Sequence, residues 1–189
     1  MVDDLRIVEA TSDRWADFET LLGPTKGGAG GCWCMLWRLR KKDYEALDGN
    51  ARRDAVRDRF GGPVPPGLLA YDGDAPVGWC SVAPRAEFPR LETSRVLKPV
   101  DDAPVWSVTC FFIARSHRRR GVSVRLLEAA ADFVRTHGGH IVEGYPVEPA
   151  KADYPGVYAW IGLADAFRAA GFEEVLRRSD TRPIMRRSV

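Results

Sequence analysis

Three consecutive arginines, Arg118, Arg119 and Arg120, lead into Gly121, Val122, Ser123 and Val124 at the point where an apolar run gives way to a helical pattern. Guanidinium groups pair with phosphate oxygens through parallel N–H donors. Gly121 lets the backbone approach such an anion closely, and Ser123 is small enough to do the same. A helix start adds free N–H groups and the positive end of its dipole, so this stretch reads as an anion site suited to a pyrophosphate. The competing readings are a solvated face and a nucleic-acid contact, and the buried strand expected just before the turn favours the pyrophosphate site over both.

Other chemistry-bearing residues are sparser. Cys32 and Cys34 are the only close pair among four cysteines, and their single intervening residue is tighter than structural zinc spacing, with no second pair following. No metal is therefore expected. His117, His137 and His140 form no ligand or triad pattern, although His117 stands near the anion turn.

The elements that must hold the arginine turn follow from periodicity. Val105 to Ile113 (VWSVTCFFI) is β-prone and nearly continuously apolar, as a strand covered on both faces is. Leu126, Leu127, Ala130, Ala131 and Val134 share one stripe of a helix over 122–137, ended by Gly138 and Gly139. Before them come a strand over 5–9, a helix capped by Thr11 or Ser12, a glycine-rich loop over 23–31 without regular structure and expected to be mobile, and a charged helix over 50–60. A hairpin then turns at Asp72, Gly73 and Asp74, and 84–104 reads as loop with at most an irregular helical turn. After the main helix come a strand over 140–145, a short helix closed by Gly171, and two strands near 173–178 and 183–187.

This order makes a mixed α/β sheet with helices on both faces, in one domain over 1–189. The hydrophobic fraction of 45% and charged fraction of 29% suit an ordinary globular chain. A net charge of +2 is too near balance for binding nucleic acid through the whole surface, and no apolar run is long enough for a membrane span. The acidic start, MVDDLRIVEATSDRW, is unlike a signal peptide, so a cytoplasmic location with reduced thiols is expected.

The chain resembles the GNAT superfamily of N-acetyltransferases. Its signature, Q/R-x-x-G-x-G/A after a hydrophobic strand, stands here as RRRGVS at 118–123, with Ser123 in the last place. The element order, the FFIARSHRRRGV segment and the late AAGFEEV and RPIMRR segments extend the likeness over nearly the whole chain. The resemblance implies a mostly antiparallel central sheet and acetyl-CoA as co-substrate. It implies that the backbone of Phe111 to Ile113 (Phe111, Phe112, Ile113) holds the pantetheine arm, with the pyrophosphate at Gly121 to Val124.

For acyl transfer such a site needs a neutral amine, donors facing an oxyanion, and a way to release the CoA thiolate. A backbone N–H within Cys110 to Phe112 is the expected oxyanion donor. Glu143 is the candidate base, against the alternative that it pairs with an arginine; Glu148 and Asp153 follow it. Family members often carry an acid tyrosine four residues before the Gly-Phe pair of the last helix, but that position is Phe167. Tyr158 is the candidate acid in its place, with Tyr145 and Tyr154 as alternatives, or the thiolate leaves unaided.

CWCMLWR at 32–38 stands where the family places its acceptor loop. Trp33, Cys34 and Trp37, with Trp79 and Trp106 from strands, are the expected acceptor wall, set against the alternative that tryptophans fill cores. Cys110 is read as a small residue beside the pantetheine. The function expected is acetyl transfer to a small-molecule amine in a ternary complex. A non-catalytic acyl-CoA sensor and a protein or peptide N-acetyltransferase are the alternatives, and the resemblance leaves a homodimer open.

Overall fold

The computed structural model describes residues 5–23, 26–149 and 160–189. Seven strands form one sheet: β1 (Leu5–Glu9), β2 (Gly67–Asp72), β3 (Ala75–Pro84), β4 (Trp106–Ile113), β5 (Ile141–Gly144), β6 (Glu173–Arg177) and β7 (Pro183–Ser188). Their order is β1-β2-β3-β4-β5-β7-β6, and every neighbouring pair is antiparallel except β4 with β5. Six helices accompany them: α1 (Trp15–Leu22), α2 (Lys41–Ala46), α3 (Gly49–Phe60), α4 (Pro89–Glu92), α5 (Val122–Thr136) and α6 (Ala164–Ala169).

Period-2 alternation assigns the two faces. Leu68 and Ala70 of β2 join α5 residues such as Leu126, Leu127 and Ala130 in one core cluster, while Leu69 and Tyr71 join Trp15, Phe18 and Phe60 from α1 and α3 in another. Helices thus cover both faces, as expected. A third cluster, centred on Phe88, Leu91, Leu97 and Tyr145, lies beneath the 84–104 segment, which forms two short helical turns.

Several local expectations change. Thr11 and Ser12 do not cap α1; Ser12–Arg14 is a 3-10 turn, and the Thr11 hydroxyl donates to Asp13 Oδ1 instead. The cap of α3 is Asp48, whose carboxylate accepts from the Ala51 N–H at 2.8 Å. The glycine-rich loop is tied down over its described residues. Gly28 N–H donates to Leu22 O, Trp33 N–H to Gly27 O, and the Trp33 indole is buried against Trp15 and Phe18. Gly27 is required there, because a Cβ would lie 2.3 Å from Trp33 Nε1.

Candidate functional site

The anion turn forms as its residues dictate. β4 ends at Ile113, a 3-10 turn spans Arg115–His117, and Gly121 takes φ 84° to start α5. A side chain at Gly121 would meet nothing within 4 Å, so the backbone there faces open space. Arg119 also has positive φ, 62°, unusual for a non-glycine residue and the kind of local strain that gathers at ligand sites. Arg118 Nε donates to Ile113 O at 3.0 Å, which aims that side chain back along the strand. Val122 is buried beneath the sheet and Val124 packs partly against the same core, so those two contribute backbone rather than side chain to the turn. His117 points elsewhere, to Asp72 Oδ2 at 2.9 Å.

Beside the turn the sheet opens. β4 and β5 pair only as Trp106 with Val142, Ser107 with Glu143 and Val108 with Gly144, after which β4 runs on to Ile113 paired with β3 but without β5. The parting coincides with a bulge: Ser81 pairs with Cys110 and Val82 with Val108, leaving Thr109 as the extra residue. The bulge reverses the alternation, so Trp106, Val108 and Phe111 reach the α5 core while Cys110 and Phe112 reach the opposite side. In the gap the Phe111 N–H donates to Trp160 O at 2.6 Å.

A cavity of about 590 Å³ lies around this opening. At one end are Arg118, Arg119 and Ser123; its floor is Cys110 to Ile113; Gly162 and Ala166 form one wall. The far wall, built by the loop after α1 and by α2, presents Cys32, Cys34, Leu36, Trp37 and Tyr44, with Trp160 opposite. Trp37 and Trp160 approach with ring centroids 6.2 Å apart.

Cys34 Sγ lies 3.1 Å from Cys110 Sγ, a buried contact between residues 76 apart in the chain. Its loop is strained to achieve this, with φ of 47° at Trp33 and 57° at Cys34. The neighbouring Cys110 thiol, and burial after it, push the Cys34 thiol well above the ordinary range; Cys34 and burial push Cys32 up as well. Both are neutral thiols at neutral pH. Among the described residues no group of three or more His, Cys, Asp or Glu is arranged to hold a metal ion.

The structure thus gathers Phe111, Phe112, Ile113, Arg118, Arg119, Ser123, Cys34 and Trp37 around one cavity, whereas Arg120 is solvent-exposed outside its lining. Three expected acceptor residues do not reach it. Trp33 anchors the loop from within; Trp79 is fully buried, stacked on Phe60 and edge-on to Phe18; Trp106 lies edge-on to Phe133 of α5. Each fills core because it projects onto a helix-covered part of the sheet.

Glu143 is likewise not at the cavity. It is fully buried, accepting from Arg85 at 2.8 Å, Arg186 at 2.8 Å and the Tyr145 hydroxyl at 2.6 Å. Two guanidiniums and a tyrosine hydroxyl occupy its oxygens, so it is bound into the packing and turned away from the cavity. Glu148 is paired with Arg168 and Arg177, whose hydrogen bonds hold its carboxyl below the usual range. Tyr145 is buried in the Glu143 network, and burial, with Glu143 beside it, drives its hydroxyl far up. Asp153, Tyr154 and Tyr158 lie outside the described residues. Phe167 is fully buried, touching the positions where Gly144 and Gly162 carry no side chain.

Sequence reasoning missed Tyr44, Leu36 and Trp160 at the cavity. Tyr44 sits on the short polar α2, where no apolar stripe marks a face; Arg52 lies over its ring at 3.9 Å, and burial raises its hydroxyl pKa.

An open strand edge beside a basic helix start has room and charge for a phosphate-bearing thioester. The comparisons agree. The sequence profile of the acetyltransferase (GNAT) family matches residues 33–153, well over half of the chain. No curated protein matches it. Among solved structures, a GNAT-family acetyltransferase from Streptococcus agalactiae superposes with a TM-score of 0.57 at 11% identity, covering 99% of this chain and 96% of its own. YncA from Salmonella typhimurium, with its cofactor acetyl-CoA, gives 0.55 at 13% identity, covering 97% and 93%. AAC(6')-Ib, in complex with paromomycin and acetyl-CoA, gives 0.52 at 15% identity, covering 98% and 94%. At such identities the structures speak for the fold, and the profile for the family: this chain belongs to the acetyltransferase (GNAT) family, an acetyltransferase with acetyl-CoA as co-substrate.

Proposed function

We propose that the chain transfers the acetyl group of acetyl-CoA to the amine of a small molecule, by direct attack within a ternary complex. One observation carries the reading: a single cavity joins the Arg118, Arg119 and Ser123 end to an aromatic and thiol end behind β4. Donor and acceptor would meet across Cys110 to Phe112, where holding both in place removes most of the entropic cost of their encounter.

The chain's own groups have limited parts. Arg118 and Arg119 would take the pyrophosphate charge, aided by the N–H groups that begin α5. A carbonyl of the pantetheine arm would replace Trp160 O on the Phe111 N–H. Neither Glu143 nor Glu148 is free to accept a proton, and the CoA thiol is acidic enough, near a pKa of about 8.5, to leave without a dedicated acid. The neutral thiols of buried Cys34 and half-buried Cys32 argue against an acetyl-enzyme on either, because the thiolate is the nucleophile.

Initial rates with acetyl-CoA and an amine varied together test the reading. Intersecting patterns, with no acetylated protein in mass spectra after acetyl-CoA alone, are expected. Parallel patterns with an acetyl adduct on Cys34 or Cys110 would replace direct attack by a covalent relay. A non-catalytic acyl-CoA sensor draws on Phe167 and on the sequestered Glu143; binding by calorimetry without CoA release across a broad amine panel would select it.

A further inference from the structure

Resting on the acetyl-transfer reading above, we infer that the acceptor is a weakly basic amine, neutral at physiological pH and borne on a flat apolar body, as in an arylamine, rather than an alkylammonium or a polycation. The acceptor end of the cavity carries the inference. Trp37 and Trp160 form a tilted aromatic pair with centroids 6.2 Å apart, and Cys34, Cys110 and Leu36 extend the apolar surface beside them. A flat, uncharged ring packs on such a surface with least loss of hydration.

The charges around it point the same way. Arg52 lies 3.9 Å over the Tyr44 ring and Arg90 lies 5.8 Å from it, while Arg90 Nη1 donates to Leu36 O, so two guanidiniums back the far wall. Arg118 and Arg119 stand at the opposite end. An ammonium entering the acceptor end meets the two guanidiniums behind the far wall and loses its hydration to apolar side chains, while the charge of Arg118 and Arg119 is taken up by the CoA pyrophosphate. Among the described residues the neighbouring carboxylates do not offset this, since Glu143 is held by Arg85 and Arg186 and Glu148 by Arg168 and Arg177.

The chemistry then closes without a base on the enzyme. An alkylammonium must shed a proton before its nitrogen has a lone pair to attack with, and the described lining has no anion to take it. An arylamine already carries that lone pair. Its nitrogen bonds to the acetyl carbon, the carbon–sulfur bond breaks, and the proton released from nitrogen ends on the departing CoA sulfur or on water. The products are an N-acetyl arylamine and free CoA thiol.

The test uses the whole protein with acetyl-CoA and a matched pair of probes, 4-methylaniline and benzylamine, with spermidine as the polycation, reading CoA thiol release. At near-neutral pH the arylamine is expected to exceed benzylamine in kcat/KM by about tenfold or more, the size of effect that desolvating a cation produces. Its rate should be nearly flat with pH where that of benzylamine climbs. The variant Leu36→Glu, confirmed as folded by its thermal transition, is expected to narrow or reverse the preference by giving an ammonium a partner. Preference of the native protein for benzylamine or spermidine would overturn the inference while leaving acetyl transfer intact. Binding of acetyl-CoA with no CoA release from any probe or from a wider amine panel would overturn the transfer reading, and this inference with it.

Discussion

Two arginine-rich places lie on either side of the sheet's opening, and they have opposite characters. Arg85 and Arg186 converge on Glu143, a carboxylate fully shielded from water, with Tyr145, Ser107 and Asp101 completing the network. Arg118, Arg119 and Arg120 crowd a turn whose described surroundings offer no carboxylate partner, over a backbone that faces open space. The first set is saturated internally and stabilises the packing of β5, β7 and the 84–104 segment. The second set leaves its charge for something outside the chain. Charge density in sequence is alike in both, so what separates structure from binding is whether the fold itself supplies the counter-charge.

The largest effect should come from breaking the saturated set. Glu143→Ala strands two guanidiniums in a buried site and is expected to cost about 3–5 kcal/mol of stability, read from denaturant unfolding. Acetyl-CoA affinity of the remaining folded protein should change little. If Glu143→Ala instead unfolds normally and loses only turnover, Glu143 belongs to the chemistry after all.

Next comes the open set. Arg118→Ala with Arg119→Ala is expected to weaken acetyl-CoA binding by about a hundredfold or more in calorimetry, since charge-assisted bonds are worth about 1.5–3 kcal/mol each. The thermal transition should move hardly at all. Raising salt should erode binding of the native protein more than that of the double variant.

A smaller effect isolates the backbone of the same turn. Gly121→Ala meets no steric obstacle, so its cost is the left-handed φ of 84° alone, about 1 kcal/mol in stability. A loss of acetyl-CoA affinity larger than that strain explains would show the turn's N–H groups to be as important as its arginines.

The smallest effect concerns the exposed rim of the saturated set. Asp101 is held by Arg186, which lowers its carboxyl from 3.8 to about 2. A lowered folded-state value means stability that is present above 3.8 and is lost as pH falls through about 2. Asp101→Asn should flatten melting temperature over that acid window and leave it nearly unchanged at neutral pH.

How much of this could be read in advance depends on the range of the interaction. The strand, turn and helix over 106–136 are specified by neighbours in sequence, and the expected boundaries nearly match the observed ones. The partners of Glu143 stand 58 and 43 residues away, so its glutamate identity alone could favour a solvent-facing or arginine-paired side chain over a base but could not name the pair. The bulge at Thr109 was hidden because the alternation of Trp106 to Cys110 runs into CFFI, apolar on both registers, where a shift by one residue leaves no trace. Tryptophan type could not tell Trp37, at the cavity, from Trp33, four residues earlier and inside the core. That distinction is made by two consecutive left-handed residues which no side-chain pattern announces.

The contact between Cys34 and Cys110 gives the molecule its own clock. Both sulfurs are buried, Cys34 is held protonated, and one is carried by the loop while the other is fixed in the sheet. Both sulfurs line the cavity, so a thiol reagent reaches them through its mouth or when the loop lifts away, and labelling under native conditions measures how open that wall is as well as how reactive the sulfur is. The same two atoms that make the wall dry would time its departure, and an acceptor lodged against them would slow it.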